Sequence, residues 1–330
     1  NNSNIIGFAS ELKQLAGFAD PLNNSKKNNY IIEQMKPGNI LYLDYNDENK
    51  EWFIMGEVTY NTLPLNNFSN YDNDEEKDIE VYKTLIHDAF CKAVKKRVNN
   101  THRPVACLLS GGLDSSIVTG LVQKYYSGEL ETYSIGLKGS EDLKYAEIVA
   151  KKLQTKHTQI EVTEEDFFAA IPHVIYAVES YDTTTIRASV GNYLVAKYIS
   201  DHSDAKVIMN GDGSDELMGG YLYMNKAGNH LEFDKECKNL LAHIAAFDVQ
   251  RSDRSISAHG LEARTPFLDR EFVKTYLSIP SDVRYNTNLK QEKFLFRSAF
   301  DKDYIPSEIL WRRKEAFSDG VSDAKRSWYQ

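Results

Sequence analysis

The stretch "LLSGGLDSSIVTG", residues 108–120, breaks an apolar run with two adjacent glycines, an aspartate and several hydroxyl side chains. Its first two residues end the run "VACLL", residues 105–109, which is typical of a short strand buried on both faces. A helical pattern follows from about residue 114. Ligands of parallel sheets bind beyond the carboxyl ends of the strands, where glycine-rich turns meet helix amino ends. The stretch therefore predicts a cradle for an anion, formed by Ser110, Gly111, Gly112, Ser115 and Ser116.

This loop differs from the two commonest phosphate loops. The chain has no GxxxxGK followed by Ser or Thr, and adjacent glycines do not fit GxGxxG. A glycine that ends a strand and a serine that caps the next helix would explain part of the pattern. The full string S-G-G-x-D-S is more specific, and it resembles the loop of ATP pyrophosphatases. That resemblance implies that the loop grips pyrophosphate and that Asp114 helps to hold magnesium.

The chain around this loop alternates strand and helix patterns, which predicts an α/β fold with a parallel sheet covered by helices on both faces. Thr163 and Asp166 form a capping box at the start of one of these helices. After Tyr221 only helical patterns are visible, so we expect a C-terminal helical lobe over the carboxyl edge of the sheet. The predicted strands are 105–109, 131–137, 155–162 and 206–211, and the predicted helices are 79–98, 114–127, 141–153, 163–179 and 187–200.

The first 62 residues have a different pattern, with short apolar runs separated by Asn, Gly and Pro. The runs "NIIGFAS", "YIIEQM", "NILYLDY" and "EWFIMGEVTY" resemble strands, and "KPG" at 36–38 is typical of a turn. We expect a partial antiparallel β region here. The polar, acidic segment 64–78 has the composition of a linker. We therefore place two domains at residues 1–65 and 66–330.

Composition narrows the class of protein. Of the 330 residues, 42% are hydrophobic and 26% charged, which is ordinary for a globular protein. The net charge of -9 argues against a nucleic-acid partner, since phosphate-backbone binding needs a basic face. No stretch is apolar enough to span a membrane, and the first ten residues do not resemble a signal peptide. The three cysteines favour a reducing compartment, so we expect a cytoplasmic protein.

A second loop, "NGDGSDELMGGY" at residues 210–221, follows the last predicted strand. Its glycines permit close approach of the backbone, Ser214 is placed to cap a helix, and Asp212, Asp215 and Glu216 supply three carboxylates. An acidic glycine loop is often a solvated turn, but its position after a second parallel strand favours a site. Mg²⁺ is held by one or two carboxylates together with phosphate oxygens. Asp114 and Asp215 are the candidate metal ligands.

Further candidate residues come from three other stretches. "ESYDTTTIRAS" (179–189) offers Thr184, Thr185 and Arg187, and an arginine is suited to clamping a carboxylate or phosphate. A capping threonine beside a surface arginine is the plain alternative. "EKFLFR" and "WRRKEAFSDG" add Lys293, Arg312 and Lys314, each of which taken singly is an ordinary surface charge.

Taken in order, these blocks resemble asparagine synthetase along residues 79–330. They are "CLLSGGLDSSIV", "YSIGL", "ESYDTTTIRASVGNYL", "GDGSDELMGGYLY", "HGLEARTPFLD", "EKFLFR" and "WRRKEAFSDGV". Residues 5–60 look like the final strands of the family's amino-terminal, Ntn-type glutaminase domain. The resemblance implies an adenine nucleotide alpha hydrolase-like fold and a ligase that forms a carbon–nitrogen bond. Aspartate would be adenylated by Mg-ATP to β-aspartyl-AMP with release of pyrophosphate, and ammonia would then displace AMP to give asparagine.

The resemblance also implies roles for individual residues. Leu109 and Ile135 would contact the adenosine, and Asn210 and Gly211 would touch the nucleotide. Thr184, Thr185 and Arg187 would hold aspartate or the α-phosphate, and Lys293 would stabilise the charge that develops there. Asp212 would act during formation of the intermediate or attack by ammonia. The pyrophosphate would lie against Ser110, Gly111, Gly112, Asp114, Ser115 and Ser116.

Two departures from the family pattern qualify this expectation. The usual second loop is S-G-E-G-S-D-E, whereas this chain has Asn210 and Asp212. The acid at 212 is shorter by one methylene, so reduced or uncoupled activity is expected. The nucleophilic cysteine of the glutaminase domain has no counterpart here, so we expect free ammonia as nitrogen donor, and glutamine in a longer chain. A β-lactam synthetase-like enzyme and a catalytically impaired nucleotide-binding homologue are the alternatives, and a homodimer is a family-level expectation.

Overall fold

The computed structural model describes residues 5–18, 31–60, 79–285, 291–301, 304–313, 321, 322 and 328. The chain divides into two compact units, Asn1–Leu65 and Asn66–Gln330.

The first unit contains an antiparallel hairpin, as the sequence predicts. β1 (Asn39–Asn46) pairs with β2 (Glu51–Thr59). The Asn46 side chain accepts hydrogen bonds from the backbone N–H groups of Glu48 and Asn49, and this closes the connecting turn. The strands expected in the runs "NIIGFAS" and "YIIEQM" are wrong: their described residues, 5–10 and 31–35, form no strand, because β1 and β2 pair only with each other in the described part of this unit. The turn at "KPG" is present just before β1.

The second unit is built on a parallel sheet of five strands in the order β5-β4-β3-β6-β7. The four predicted strands are confirmed. The fifth, β7, contradicts the expectation of helices only after Tyr221: it has three residues of polar sequence, "EAR", and pairs with β6 at the sheet edge. The strands are β3 (Val105–Leu108), β4 (Glu131–Leu137), β5 (Lys156–Val162), β6 (Val207–Met209) and β7 (Glu262–Arg264).

Helices flank this sheet and continue into the C-terminal lobe, which confirms the predicted fold class. The capping box of α4 is present, with Thr163 and Asp166 each accepting from the other's backbone N–H. The helix predicted from residue 187 begins earlier, at Thr183, because Asp182 caps it by accepting from the Thr185 N–H at 2.8 Å. In the described residues the α-helices are α1 (Ile79–Asn99), α2 (Leu113–Tyr125), α3 (Glu141–Leu153), α4 (Glu164–Val178), α5 (Thr183–His202), α6 (Ser214–Met218), α7 (His230–His243), α8 (Asp248–Ser257), α9 (Arg270–Ser278), α10 (Ser281–Arg284), α11 (Phe294–Ala299) and α12 (Ser307–Leu310).

Two large clusters of buried side chains among the described residues stabilise the second unit. On one face of the sheet, alternate side chains such as Ala106 and Ile208 pack with α4, α5 and α8. Between α1 and the C-terminal lobe lies a cluster of rings around the fully buried Phe90, which is 4.3 Å from the ring centre of Phe267 and 5.3 Å from that of Phe296. Cys107 is fully buried, as expected for a core residue, and Cys91 and Cys237 are also unpaired and buried.

The strand order decides where the glycine-rich loops lie. The chain fills the sheet outward from β3 to β5 on one side, and then places β6 on the other side of β3. A crevice forms where the order reverses, beyond the carboxyl ends of the two strands concerned. Both loops singled out in the sequence follow these strands. Among the described residues, no helix is long and apolar enough to cross a bilayer.

Candidate active site

Two glycines shape the loop after β3, and each has a different structural role. Gly111 has φ +73°, and a Cβ there would lie 2.5 Å from the backbone of α3, so only glycine fits. Gly112 is the N-cap of α2, and its N–H donates to the Ser110 hydroxyl at 3.3 Å. The hydroxyls of Ser110 and Ser115 lie 3.0 Å apart. The loop thus places hydroxyls and a helix amino end beside each other.

The loop after β6 lies directly against the first loop. A Cβ on Gly211 would be 2.9 Å from both the Asp114 Cβ and the Ser115 nitrogen, so the close approach requires glycine. Gly213, at φ +87°, is the N-cap of the short helix α6, and no side chain caps it. The expected capping role of Ser214 is therefore wrong: its hydroxyl instead accepts from the Lys293 ammonium at 2.8 Å.

Lys293 joins the two loops through their carboxylates. Its Nζ lies 2.7 Å from an oxygen of Asp114 and 2.6 Å from one of Asp215, and only 1% of its side chain is exposed. The ammonium therefore lies between the two residues that the sequence suggests as magnesium ligands. Two converging carboxylates fit Mg²⁺, which is commonly held by one or two carboxylates together with phosphate oxygens and water. Within the described residues, no group of three or more His, Cys, Asp or Glu is arranged to hold a metal by itself.

A cavity of about 830 Å³ opens at this point and brings most of the predicted residues together. Two predicted residues do not line it. Gly111 is turned toward α3, and Ser116 is fully buried with its N–H donating to the Gly112 carbonyl inside α2. The predicted residues that line the cavity are Leu109, Ser110, Gly112, Asp114, Ser115, Ile135, Thr184, Thr185, Arg187, Asn210, Gly211, Asp212, Asp215 and Lys293.

Sequence reasoning missed a polar group that also lines the cavity. Asp248 and Arg251, one turn apart on α8, form an ion pair of 2.9 Å, and the same guanidinium is 3.5 Å from Asp212. The sequence presents Glu216 only as an acid of the second loop, whereas in the structure it accepts a hydrogen bond from the Tyr221 hydroxyl. The spacing of Asp248 and Arg251 was the available sequence signal, since residues three apart share a helix face.

The cavity changes the proton affinity of its acids. Burial raises the pKa of Glu216 to about 8, and the nearby Asp248 and Asp215 carboxylates act in the same direction. Burial also raises the pKa of Asp212 above its usual range, against the opposing effect of the Arg251 guanidinium. Carboxyl groups held in this way are suited to accepting a proton near neutral pH.

Cations at another part of the cavity are suited to phosphate. Arg312 lines it and stacks 3.8 Å from the ring centre of Tyr145, with its guanidinium 3.9 Å from Asp142. Arg313 lines it as well. Lys314, the third cation suggested by the sequence, lies outside the described residues.

These features define a class of protein: an α/β protein with a nucleotide-sized cavity at the switch point of a parallel sheet, bounded by two glycine-rich acidic loops. Residues 85–235 and 225–329 match the family model described as asparagine synthase, and the chain belongs to this family.

The relatives in this family agree with the match. A glutamine-hydrolyzing asparagine synthetase from Gallus gallus is 45% identical over 337 residues, which cover 98% of this chain and 59% of the relative. The human enzyme of the same name is 41% identical over 309 residues, covering 91% and 55%. This chain therefore spans little more than half the length of these relatives. An NH3-dependent NAD synthetase from Campylobacter jejuni overlaps 44% of this chain and 62% of its own, with 20% identity and a TM-score of 0.31.

Proposed function

We propose that this chain is a ligase that makes asparagine from aspartate, ATP and ammonia through β-aspartyl-AMP, with release of AMP and pyrophosphate. The observation that carries the proposal is the contact of Lys293 with Asp114 and Asp215. It joins the two loops at the switch point, beside hydroxyls and a helix amino end, where a triphosphate would bind.

In the first step, an oxygen of the aspartate β-carboxylate attacks the α-phosphorus, and the bond from that phosphorus to the bridging oxygen of pyrophosphate breaks. Ser110, Gly112, Ser115 and the amino end of α2 would bind the departing pyrophosphate. Leu109 and Ile135 would contact adenosine, and Asn210 and Gly211 the nucleotide. When bound at Asp114 and Asp215, Mg²⁺ would neutralise phosphate charge.

Lys293 is suited to the charge that builds up on the α-phosphoryl group. Its ammonium is buried and held by oxygens on both loops. A fixed cation of this kind stabilises developing negative charge without reorganising water. Thr184, Thr185 and Arg187, at the start of α5, would orient aspartate for the attack.

In the second step, ammonia attacks the β-carbonyl carbon, and the bond from that carbon to the oxygen of AMP breaks. The nitrogen must lose a proton as the amide forms. Asp212 lines the cavity as a carboxylate with a raised pKa, so we assign it as the proton acceptor. Ammonia, supplied free or from glutamine in a longer chain, would be the nitrogen donor.

The wider setting is also part of this proposal. Three unpaired, buried cysteines favour a reducing compartment such as the cytoplasm. A homodimer and the absence of a nucleic-acid partner remain predictions, the latter resting on the net charge of -9.

Exchange of labelled pyrophosphate into ATP tests the first step, and asparagine formed from ammonium chloride tests the whole reaction. We expect exchange that depends on aspartate, followed by formation of asparagine. Exchange supported only by another carboxylic acid would indicate a β-lactam synthetase-like enzyme. Nucleotide binding without exchange under any condition would indicate an impaired homologue, and either outcome would overturn the proposal.

A further inference from the structure

The two residues that depart from the family's second loop contact each other. The Asp212 N–H donates to the Asn210 side-chain carbonyl at 3.2 Å. The amide end of the same side chain donates to the Ser252 hydroxyl at 2.8 Å. Asn210 and Ser252 are both buried. One carboxamide thus closes the loop on itself and also ties it to α8.

A serine at position 210 could not make both contacts in this arrangement. Its single hydroxyl lies one bond from Cβ, whereas the carboxamide places an acceptor and a donor on separate atoms farther out. The contact to α8 and the contact inside the loop therefore both depend on asparagine. Removing one would leave a buried polar partner without its hydrogen bond, which is costly in a protein interior.

The residue that precedes Ser252 on the same helix, Arg251, contacts the Asp212 carboxylate. Arg251 lies 3.5 Å from an Asp212 oxygen through Nη2, and 2.9 Å from an Asp248 oxygen through the same nitrogen. Asp248 precedes Arg251 by one turn of α8 and so fixes the direction of its guanidinium. Asp212 and Arg251 both line the cavity.

The second loop and α8 together therefore fix the position of the Asp212 side chain. Asn210 and Ser252 fix the backbone at position 212, and Arg251 fixes the carboxylate. A glutamate at 212 would carry its carboxylate one methylene farther along the same direction and would have to crowd or bypass the Arg251 guanidinium.

We propose that Asn210, Ser252 and Arg251 are positioning residues that match this site to the shorter acid at position 212. The inference deepens the proposed function, because it rests on Asp212 acting in the second step. It also reverses the expectation drawn from the sequence: Asp212 is a fitted part of this site, and lengthening it lowers activity.

The test compares Asp212→Glu, Asn210→Ser and the double variant by two rates, pyrophosphate exchange and asparagine formation at saturating ammonium chloride. We expect each single change to lower the ratio of amide formation to exchange by about tenfold, since misplacement of a reacting group by about 1 Å can cost more than that. Because the two residues touch, we expect the double variant to lose less than the product of the single losses. A ratio for Asp212→Glu that equals or exceeds that of the unaltered chain would overturn the inference.

Arg251 and a neighbour on its helix provide a matched pair. Arg251→Met should lower the same ratio and shift the pH dependence of amide formation upward, because the guanidinium lowers the pKa of Asp212. Arg254→Met removes another arginine–carboxylate pair of α8, the one with Glu179, but Arg254 does not line the cavity. This control should lower Tm and leave the ratio at its original value. Equal effects of the two variants on the ratio and pH profile would overturn the assignment of Arg251.

A readout independent of turnover separates this inference from the proposed function. Asn210→Ser and Ser252→Ala should each lower Tm, and the double variant should lower it by less than the sum, since one contact is lost in all three. If exchange were absent while this coupling was present, the proposed function would fail and the coupling of loop and helix would stand. Additive shifts in Tm would overturn the coupling itself.

Discussion

Gly220 lies where the second loop leaves α6, and it is in close contact with the ion pair that joins the loops. Its N–H donates to the Asp215 carbonyl at 2.9 Å. A Cβ at this position would come within 2.0 Å of the Asp215 Oδ1 and 2.2 Å of the Lys293 Cε. Carbon atoms normally approach other heavy atoms to about 3.5 Å. In Gly220→Ala, these two side chains would have to withdraw by about 1.3–1.5 Å.

That displacement is larger than the ion pair tolerates. The Lys293 ammonium makes contacts of 2.6–2.8 Å to Asp114, Ser214 and Asp215 and is buried, so it cannot move aside into solvent. Insertion of a methyl group into a packed site costs about 1–3 kcal/mol, which most folded proteins survive. Misplacing a positioned catalytic group by about 1 Å costs about a hundredfold in rate. We therefore expect a folded protein with exchange of pyrophosphate into ATP reduced about a hundredfold.

The assay is aspartate-dependent pyrophosphate exchange, with Tm measured on the same preparations. Gly56→Ala is the matched control, because a Cβ there has no atom within 4 Å. It should change neither Tm nor exchange. If Gly220→Ala retained full exchange and an unchanged Tm, Lys293 would not need its contacts with both loops, and the reasoning that assigns it to the first step would be refuted.

Three further predictions follow from charge and packing. Lys293→Met should reduce exchange by at least a hundredfold and lower the free energy of unfolding by about 3–5 kcal/mol, since it leaves two facing carboxylates without their cation; an exchange rate within threefold of the original would contradict this. The pKa of Glu216 is raised to about 8 in the folded protein, so the folded state keeps a proton that the unfolded chain loses above about pH 4.5. The free energy of unfolding should therefore fall as the pH rises to 8. Urea unfolding of Glu216→Gln should show a smaller fall over that window, and an identical slope would argue against the raised pKa. Phe90→Ala should lower the free energy of unfolding by about 3–5 kcal/mol in the same assay, because its ring is fully buried among other rings; a loss below 1 kcal/mol would show that the ring cluster adds little.

Much of the fold could be predicted because its determinants are local. Strand 105–108 is a continuous apolar run, and the start of α4 is set by two residues three apart, Thr163 and Asp166. The missed strand β7 had no such signal: three residues containing Glu and Arg are held in the sheet by β6 and not by an apolar pattern of their own. The runs expected to be strands near the start of the chain show the reverse error, since a strand-like composition forms no strand without a partner.

The candidate site also has parts that could be predicted from the sequence and parts that could not. Both glycine-rich loops are recognisable in the sequence, because the turn after a strand and the amino end of a helix need particular residues within a few positions. The contribution of α8 cannot be recognised in the sequence. Asp248 and Arg251 have the pattern of ordinary surface residues on an amphipathic helix, and only the packing of that helix places them at the cavity.

The alternation of strands and helices, the two loops and the family can all be recognised in the amino-acid sequence. Two long-range contacts cannot: Lys293 meets Asp114 across 179 positions, and Asn210 meets Ser252 across 42. The difference arises because propensity, periodicity and turn chemistry act between near neighbours in the chain. Contacts between distant residues depend instead on the strand order, which brings two loops to one crevice, and on how the C-terminal helices pack over it.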